Sequence, residues 1–476
     1  MKLFSSNKNY KLYFGNSLDM KEVIEPNSID AVITDPPYEL NFMGKSWDKS
    51  GIAFNKEIWQ KCFEVLKPGA YLLAFGGTRT FHRIACAIED AGFEIRDTIM
   101  WLYGSGFPKS LNIGLAIDKK MGVDNRTGKK IKGENMLGIL NDDSWEPHDF
   151  EERIAQNKWA GWGTTLKPAY EPIIVARKPI ENSVVENVLK YDVGGINIDA
   201  CRVYGEIITS HDTEKGTFAG RTKTMPKFKG RNKLSFGQYD EKADRIQYTQ
   251  HEGRYPSNVI LTYDETDFDE VCGNMPYTKS EGGNAYNKEN GDNSMFGMKQ
   301  TKDDICLHDE GSACRYFYCA KASKRDRDDG LYDFEEISPM IQTGRKEHSL
   351  GLEYIDEEGK LHQNPYAGTK SYKKNIHPTV KPTELMQYLI KLVSPKGATI
   401  LDPFNGSGST GKAVMCENVD NEANYKYIGI ELTEEYLPIS KARIEFPYKK
   451  ETKQIVVDGK KATVLSIFDF IPNSTE

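Results

Sequence analysis

Ala31-Val32-Ile33-Thr34-Asp35-Pro36-Pro37-Tyr38 and Ala398-Thr399-Ile400-Leu401-Asp402-Pro403-Phe404-Asn405-Gly406-Ser407-Gly408 decide how this chain folds. In each, a short apolar, β-branched run gives way to a polar string rich in proline or glycine. Such runs read as buried parallel strands. A polar string at the carboxyl end of a strand sits where open α/β sheets bind ligands. The two tips, far apart in the sequence, are therefore expected in one crevice.

Around the first string, strand and helix signals alternate as in a parallel sheet. Strands are expected over 10–14, 31–34, 70–75, 98–103 and 172–176, with helices over 54–66 and 81–90. The first helix places Ile58, Cys62, Val65 and Leu66 on one face, with Pro68-Gly69 as its stop. Residues 121–162 read as a surface excursion. From 179 to 375 the rhythm is lost, leaving isolated strand candidates at 257–262 and 315–319 and a long loop over 280–304. That stretch is either an inserted recognition domain or partly disordered. The α/β pattern then resumes with helix 383–393, strand 399–401, a helix from Ser409, strand 427–430 and helix 434–444. A hairpin, strands 454–457 and 462–465 around Asp458-Gly459, follows. The expected fold is α/β, one sheet built from two sequence segments around a large insertion. Its regions are 1–178, 179–375, 376–447 and 448–476.

Bulk composition excludes several classes. The 476 residues are 38% hydrophobic and 28% charged, and no apolar stretch nears the ~18 residues of a membrane span. Residues 1–15 lack a signal-peptide pattern, so no membrane partner and a cytoplasmic location are expected. Eight cysteines in this length do not make a disulfide framework. Cys306, His308, Cys314 and Cys319 cluster, but without a C-x2-C pair; buried thiols are expected rather than zinc, and no metal site is assigned. The net charge of −7 hides a basic segment: Lys215, Arg221, Lys223, Lys227, Lys229, Arg231 and Lys233, with no acid between them. It reads either as a phosphate-contacting segment or as a solvated loop.

The two strings suit one chemistry. An exocyclic amine of a nucleobase is a poor nucleophile because its lone pair is delocalised into the ring. Acceptors for its N–H groups let the nitrogen pyramidalise, and Asp35 Oδ with the Pro36 carbonyl fit that role. Pro36 and Pro37 fix φ and remove donors, so the turn offers acceptors. Tyr38 offers a face for an extruded base, worth about 1–3 kcal/mol. A plain strand-ending turn is the other reading of these four residues. In the second string Gly406 and Gly408 allow close backbone approach, Phe404 can pack on adenine or on the core, and Glu431, 29 residues after Asp402, suits ribose hydroxyls or is a satisfied strand-end acid. Residues 406–412 also match a phosphate-binding loop, except that Ala413 stands at the magnesium-holding Ser/Thr position.

On these strings the chain resembles the β-group of S-adenosylmethionine-dependent DNA amino-methyltransferases, phage-like members in particular. The order of Asp-Pro-Pro-Tyr, recognition region and Phe-x-Gly-x-Gly agrees over residues 9–178 and 376–445. Asn41 to Asp48, Arg254 to Ile260, Tyr318 to Lys324 and His377-Pro378-Thr379-Val380-Lys381-Pro382 add to the likeness. The resemblance implies a Rossmann-like methyltransferase sheet and S-adenosylmethionine as cofactor. It implies a cofactor site of Asn16, Ser17, Asp35, His377, Lys381, Thr383, Asp402, Phe404, Asn405, Gly406, Gly408 and Glu431. Asn16 departs from the family, which commonly has an acid there. Catalysis falls to Asp35, Pro36, Pro37 and Tyr38, and double-stranded DNA to Lys45, Trp47, Lys223, Lys227, Lys229, Arg231 and Lys233. An Asp in the catalytic string points to adenine N6, in a site-specific methyltransferase that flips its base. Cytosine N4, an RNA substrate and a catalytically silent DNA-binding relative are the rivals. Cytosine C5 chemistry needs a nucleophilic cysteine after proline, which this chain lacks. A homodimer and a separate restriction nuclease are compatible partners.

Overall fold

Strand Ile29–Thr34 is buried over all six residues and pairs in parallel with Thr399–Asp402, Ala31 opposite Ile400 and Val32 opposite Leu401. The two apolar runs are thus sheet neighbours. The computed structural model describes residues 1–40, 46–103, 110–132, 149–211, 248–263, 277–280, 309–312, 317–321, 325–335, 353–355, 361–363, 374–450, 454–457 and 460–463. It divides into two units, one of Met1–Ile196 with Ala320–Glu476, the other of Asn197–Cys319.

The first unit is built on one sheet of strands β1 (Lys2–Ser6), β2 (Tyr10–Phe14), β3 (Ile29–Thr34), β4 (Leu66–Phe75), β5 (Glu94–Tyr103), β6 (Tyr170–Arg177), β7 (Thr399–Asp402) and β8 (Lys426–Glu431). Within the unit the order is β1-β2-β8-β7-β3-β4-β6-β5. From β2 to β4 every pairing is parallel. The wholly parallel expectation fails at β6, which runs antiparallel between β4 and β5, and at β1, an antiparallel edge strand on β2. The reversal at β6 brings the start of that strand, not its end, to the sheet edge where β2, β3, β7 and β8 finish.

Helix α1 (Lys56–Val65) starts at Asn55, whose side chain accepts from the Glu57 amide, and buries Ile58, Trp59, Cys62 and Val65. With Ile84, Ala87 and Ile88 of α2 (Phe81–Asp90) these residues pack on Val32, Leu72, Ala74 and Ile174. Each such side chain contributes about 1.5–3 kcal/mol when fully buried. Alternate residues Ala31, Ile33, Leu73 and Ile400, equally buried, point to the opposite face. Pro68-Gly69 does not stop α1: the chain is already extended at Leu66, and both residues lie inside β4.

Helices α3 (Ile113–Met121) and α4 (Val184–Tyr191), the latter with a Ser183–Glu186 capping box, were not anticipated. Nor was the hairpin of Arg126–Lys132 with Asp149–Arg153 in the stretch read as a surface excursion. After β6 come α5 (Thr383–Val393), α6 (Ser409–Asp420) and α7 (Leu437–Lys450). The expected helix 434–444 is a short 3-10 turn, Glu434–Tyr436, running into α7. Strands Gln454–Val457 and Lys460–Thr463 pair; the second starts two residues before the sequence reading, and Asp458-Gly459 lies outside the described residues.

The second unit carries the pair Val203–His211 with Tyr248–Arg254, strand Val259–Tyr263, and the pair Tyr277–Ser280 with Asp309–Ser312. Lys45, Lys223, Lys227, Lys229, Arg231 and Lys233 lie outside the described residues, as do Cys306, His308 and Cys314. Trp47 lies in the 3-10 turn Ser46–Lys49, its side chain also outside them. Among the described residues no helix is long and apolar enough to cross a membrane.

Candidate active site

Because β2, β8, β7, β3 and β4 are parallel, their carboxyl ends share one edge, and the residues that follow them line a cavity of about 1240 Å³. Asn16, Ser17, Asp35, Pro36, Pro37, Tyr38, His377, Lys381, Asp402, Phe404, Asn405, Gly406 and Glu431 all line it. Of the catalytic and cofactor-site residues read from the sequence, Thr383 and Gly408 do not.

On one side stands Asp35. Its Oδ2 accepts from the Lys381 ammonium at 2.6 Å, while its Oδ1 is buried and has no hydrogen-bond partner among the described residues. Lys381 also lies 3.4 Å from Glu171 Oε2, which in turn accepts the Tyr38 hydroxyl at 2.8 Å. The ammonium sits 5.3 Å from the Tyr38 ring centre and 5.0 Å from that of Phe75. Burial alone would pull the Lys381 ammonium down, but Asp35 and Glu171 outweigh it and hold it above its usual range. Burial, then the charges of Asp35 and Glu171, push the Tyr38 phenol well up, so it stays a donor. Lys381, read from the sequence as a cofactor contact, lines the cavity and holds the Asp35 carboxylate. Glu171 was missed because it arrives at the start of reversed strand β6. The turn itself is anchored by buried Asp48, which accepts from the Glu39 and Leu40 amides, and by Thr80, which donates to the Tyr38 carbonyl.

On the other side lies the glycine turn. Asp402 is buried: its Oδ1 accepts from Thr34 Oγ1 at 2.6 Å and the Phe404 amide at 3.1 Å, and its Oδ2 from Thr410 Oγ1 at 2.7 Å. Its role is to lock the two strand tips to α6. Asn405 is equally internal, donating to Ser440 Oγ and accepting from Tyr427. Gly406 has φ +49° and a side chain there would meet the His377 ring; Gly408 has φ +75° and would meet Ser440. These glycines serve packing as much as ligand approach. Burial pulls the His377 imidazole down to about 4, so the ring is neutral and Nδ1 donates to the Thr379 carbonyl. Asn16 Oδ1 caps the turn after β2 by accepting from Leu18, and Ser17 donates to the Pro403 carbonyl. Phe404 packs toward Trp59, ring centres 6.2 Å apart.

Thr383 is held elsewhere. Its amide and hydroxyl both donate to Asp326, which also pairs with buried Lys412 and lies 3.6 Å from fully buried Arg443. Arg443 donates to the Ser407 carbonyl and to the Ser407 and Ser409 hydroxyls. Lys412, the lysine of the phosphate-loop pattern, is spent on Asp326 and Asp329 and does not line the cavity. The phosphate-loop reading therefore has no free lysine.

Glu431 accepts from the Gly406 and Thr433 amides at 2.7 Å each, and burial raises its carboxyl to about 7. An unfolded Glu ionises near about 4.3. Between those values the folded chain keeps a proton that the unfolded chain has lost, so stability falls as pH rises through the window. Ligand-free protein should lose on the order of 3 kcal/mol from this group across it. Glu431→Gln should flatten the slope, read from urea unfolding at about pH 5 and pH 8. An unchanged slope in the variant would contradict the assignment.

A sequence model of the DNA methylase family (N6_N4_Mtase) matches residues 29–442, and the chain belongs to that family. The type II methyltransferase M.HindIII of Haemophilus influenzae is 25% identical over 145 residues, 30% of this chain and 37% of that protein. M.HpaI of Haemophilus parainfluenzae is 33% identical over 109 residues, 21% of this chain and 34% of its own length. This chain thus spans about a third of the length of the curated relatives it matches. The solved PvuII DNA methyltransferase (cytosine-N4-specific) aligns over 92% of this chain and 87% of its own at 11% identity, with a TM-score of 0.37.

Proposed function

We propose that this chain methylates an exocyclic amine of a flipped base in duplex DNA, taking the methyl group from S-adenosylmethionine, with adenine N6 as the target. The observation that carries the reading is the divided Asp35 carboxylate: one oxygen pinned by Lys381, the other buried at the cavity wall with no partner among the described residues. A buried acceptor left unmet costs about 1–3 kcal/mol, and an amine N–H is the donor that satisfies it.

The cavity fits the cofactor. At about 1240 Å³ it exceeds the roughly 300–1,000 Å³ of a single drug-sized site, so a nucleoside and a base have room together. Each Glu431 oxygen takes one backbone N–H and keeps a lone pair for a ribose hydroxyl. Phe404 and the Asn16–Ser17 turn would flank the adenosine, and the bound cofactor supplies an electrophilic methyl group. Asp35 Oδ1 accepts from the amine and takes the proton the nitrogen releases after transfer. Lys381 keeps that oxygen aimed, and the Tyr38 ring, fixed through Glu171, offers the base a stacking face.

Methylation-sensitive long-read sequencing of host DNA with and without the gene reports base, position and sequence context together. Nucleoside mass spectrometry should show N6-methyladenine; N4-methylcytosine would move the target base, and neither would sink the reading. Double-stranded DNA is the expected partner of the inserted region. Replacing Lys223, Lys227, Lys229 and Lys233 with alanine should weaken binding on all sequences and make its salt dependence shallower by about 0.9 for each phosphate no longer neutralised. Unchanged binding would remove that segment from the interface.

A further inference from the structure

The segment 161–169 is exposed throughout and forms one rim of the cavity at Thr164 to Ala169. It is held in place, not loose. The Ser110 hydroxyl accepts from the Thr164 amide at 2.9 Å and the Thr165 amide at 3.3 Å. The Thr164 hydroxyl accepts from the Leu111 amide, and the Ala169 carbonyl from the Tyr103 amide. This frame raises Leu166 to 92% exposure, although it lines the cavity. Exposed Trp162 and Leu111 stand on the same frame.

The cations agree. Arg79, after β4, and Lys167 both line the cavity, both are exposed, and neither forms an ion pair among the described residues. The cavity acids other than Asp35, by contrast, already have partners within the protein, Asp402 and Glu431 in backbone and hydroxyl donors and Glu171 in Tyr38 and Lys381. A rim whose cations are unpaired among the described residues, around a pocket whose one unmet buried side-chain acceptor is Asp35 Oδ1, suits a polyanion whose base goes in while its phosphates stay out.

We propose that Leu166 enters the base stack of duplex DNA as the target nucleotide leaves it, while Arg79 and Lys167 take the flanking phosphates; this rests on the base-flipping reading above. Filling the vacated step with an apolar side chain offsets part of the unstacking cost, as intercalating side chains do elsewhere.

The test uses the full chain and a duplex carrying its recognition site, with 2-aminopurine at the target position for binding and adenine there for turnover. Leu166→Gly should cut the fluorescence rise on binding and slow methyl transfer about tenfold on paired DNA, since stacking contacts of this size are worth about 1–3 kcal/mol. On a duplex with an abasic site opposite the target, where the pairing to be broken is already gone and extrusion costs less, the variant should come within about twofold of the parent. Arg79→Ala with Lys167→Ala should make the salt slope shallower by about two. Full activity of Leu166→Gly on paired DNA, or an equal deficit on both duplexes, would overturn the assignment. Absence of transfer by the parent chain on either duplex would instead sink the base-flipping reading itself.

Discussion

Asp35→Ala should lower methyl transfer by about 100- to 1,000-fold, the usual loss when one preorganised polar group is taken from a water-excluded reacting centre. S-adenosylmethionine binding, measured by titration calorimetry, should stay within about tenfold, because the Asn16–Ser17, Phe404 and Glu431 wall is untouched. The variant also strands the Lys381 ammonium, whose remaining carboxylate, Glu171, is 3.4 Å away. Breaking a buried pair from one side costs about 3–5 kcal/mol. A folding defect and a chemical defect must therefore be separated. The double variant Asp35→Ala/Lys381→Met removes both charges, so stability should recover toward the parent while activity does not. Recovery of activity in the double variant would show that Asp35 matters only as a counter-ion, and the amine-acceptor role would be lost.

Asp326→Ala should be the most destabilising single change in the described core. Burial by itself raises the Asp326 carboxyl, but Lys412 and Arg443 outweigh it and hold the group below its usual range. Its removal leaves Lys412, 2% exposed, with Asp329 alone, and Arg443, fully buried, without its nearest carboxylate. It also uncaps α5, whose first amide and hydroxyl both donate to Asp326. Leaving buried charges without their carboxylate costs about 3–5 kcal/mol and a lost cap about 0.5–2 kcal/mol, so the urea midpoint should move strongly. The glycine turn hangs from Arg443 through Ser407 and Ser409, so cofactor affinity should fall as well. A midpoint shift below about 1 kcal/mol would mean that the cluster relaxes around water and carries no such load.

The sequence showed the two strand tips because their signals are local: β-branched runs followed by Pro or Gly. It showed the helices at 81–90 and 383–393 to the residue, since their apolar stripes repeat with helical spacing. It did not show the reversal of β6. A fully buried antiparallel strand and a parallel one present the same apolar run, and Pro172 to Ala176 carries no directional mark. That one ambiguity hid Glu171. The ion cluster was hidden for another reason. Asp326, Lys412 and Arg443 are widely spaced charges with no local pattern, and only closure of the fold makes them partners. Asp402, Asn405 and Thr383 were found as residues, but the hydrogen bonds that hold them inside the protein were not. Motif spacing reports that a side chain is near a site, not which way its oxygens turn.

The pairing of β3 with β7 has a consequence for biosynthesis. Thr34 and Asp402, joined by a hydrogen bond, are 368 residues apart. At about 5–20 residues per second a ribosome needs roughly 20–70 s to travel that distance. Throughout that interval β3 has emerged with β4 available on one side and no neighbour on the other, an apolar edge open to any passing strand. The nascent chain is therefore a natural client for a chaperone until its last third is made, and slowing translation inside the insertion should increase aggregation more than slowing it after residue 431.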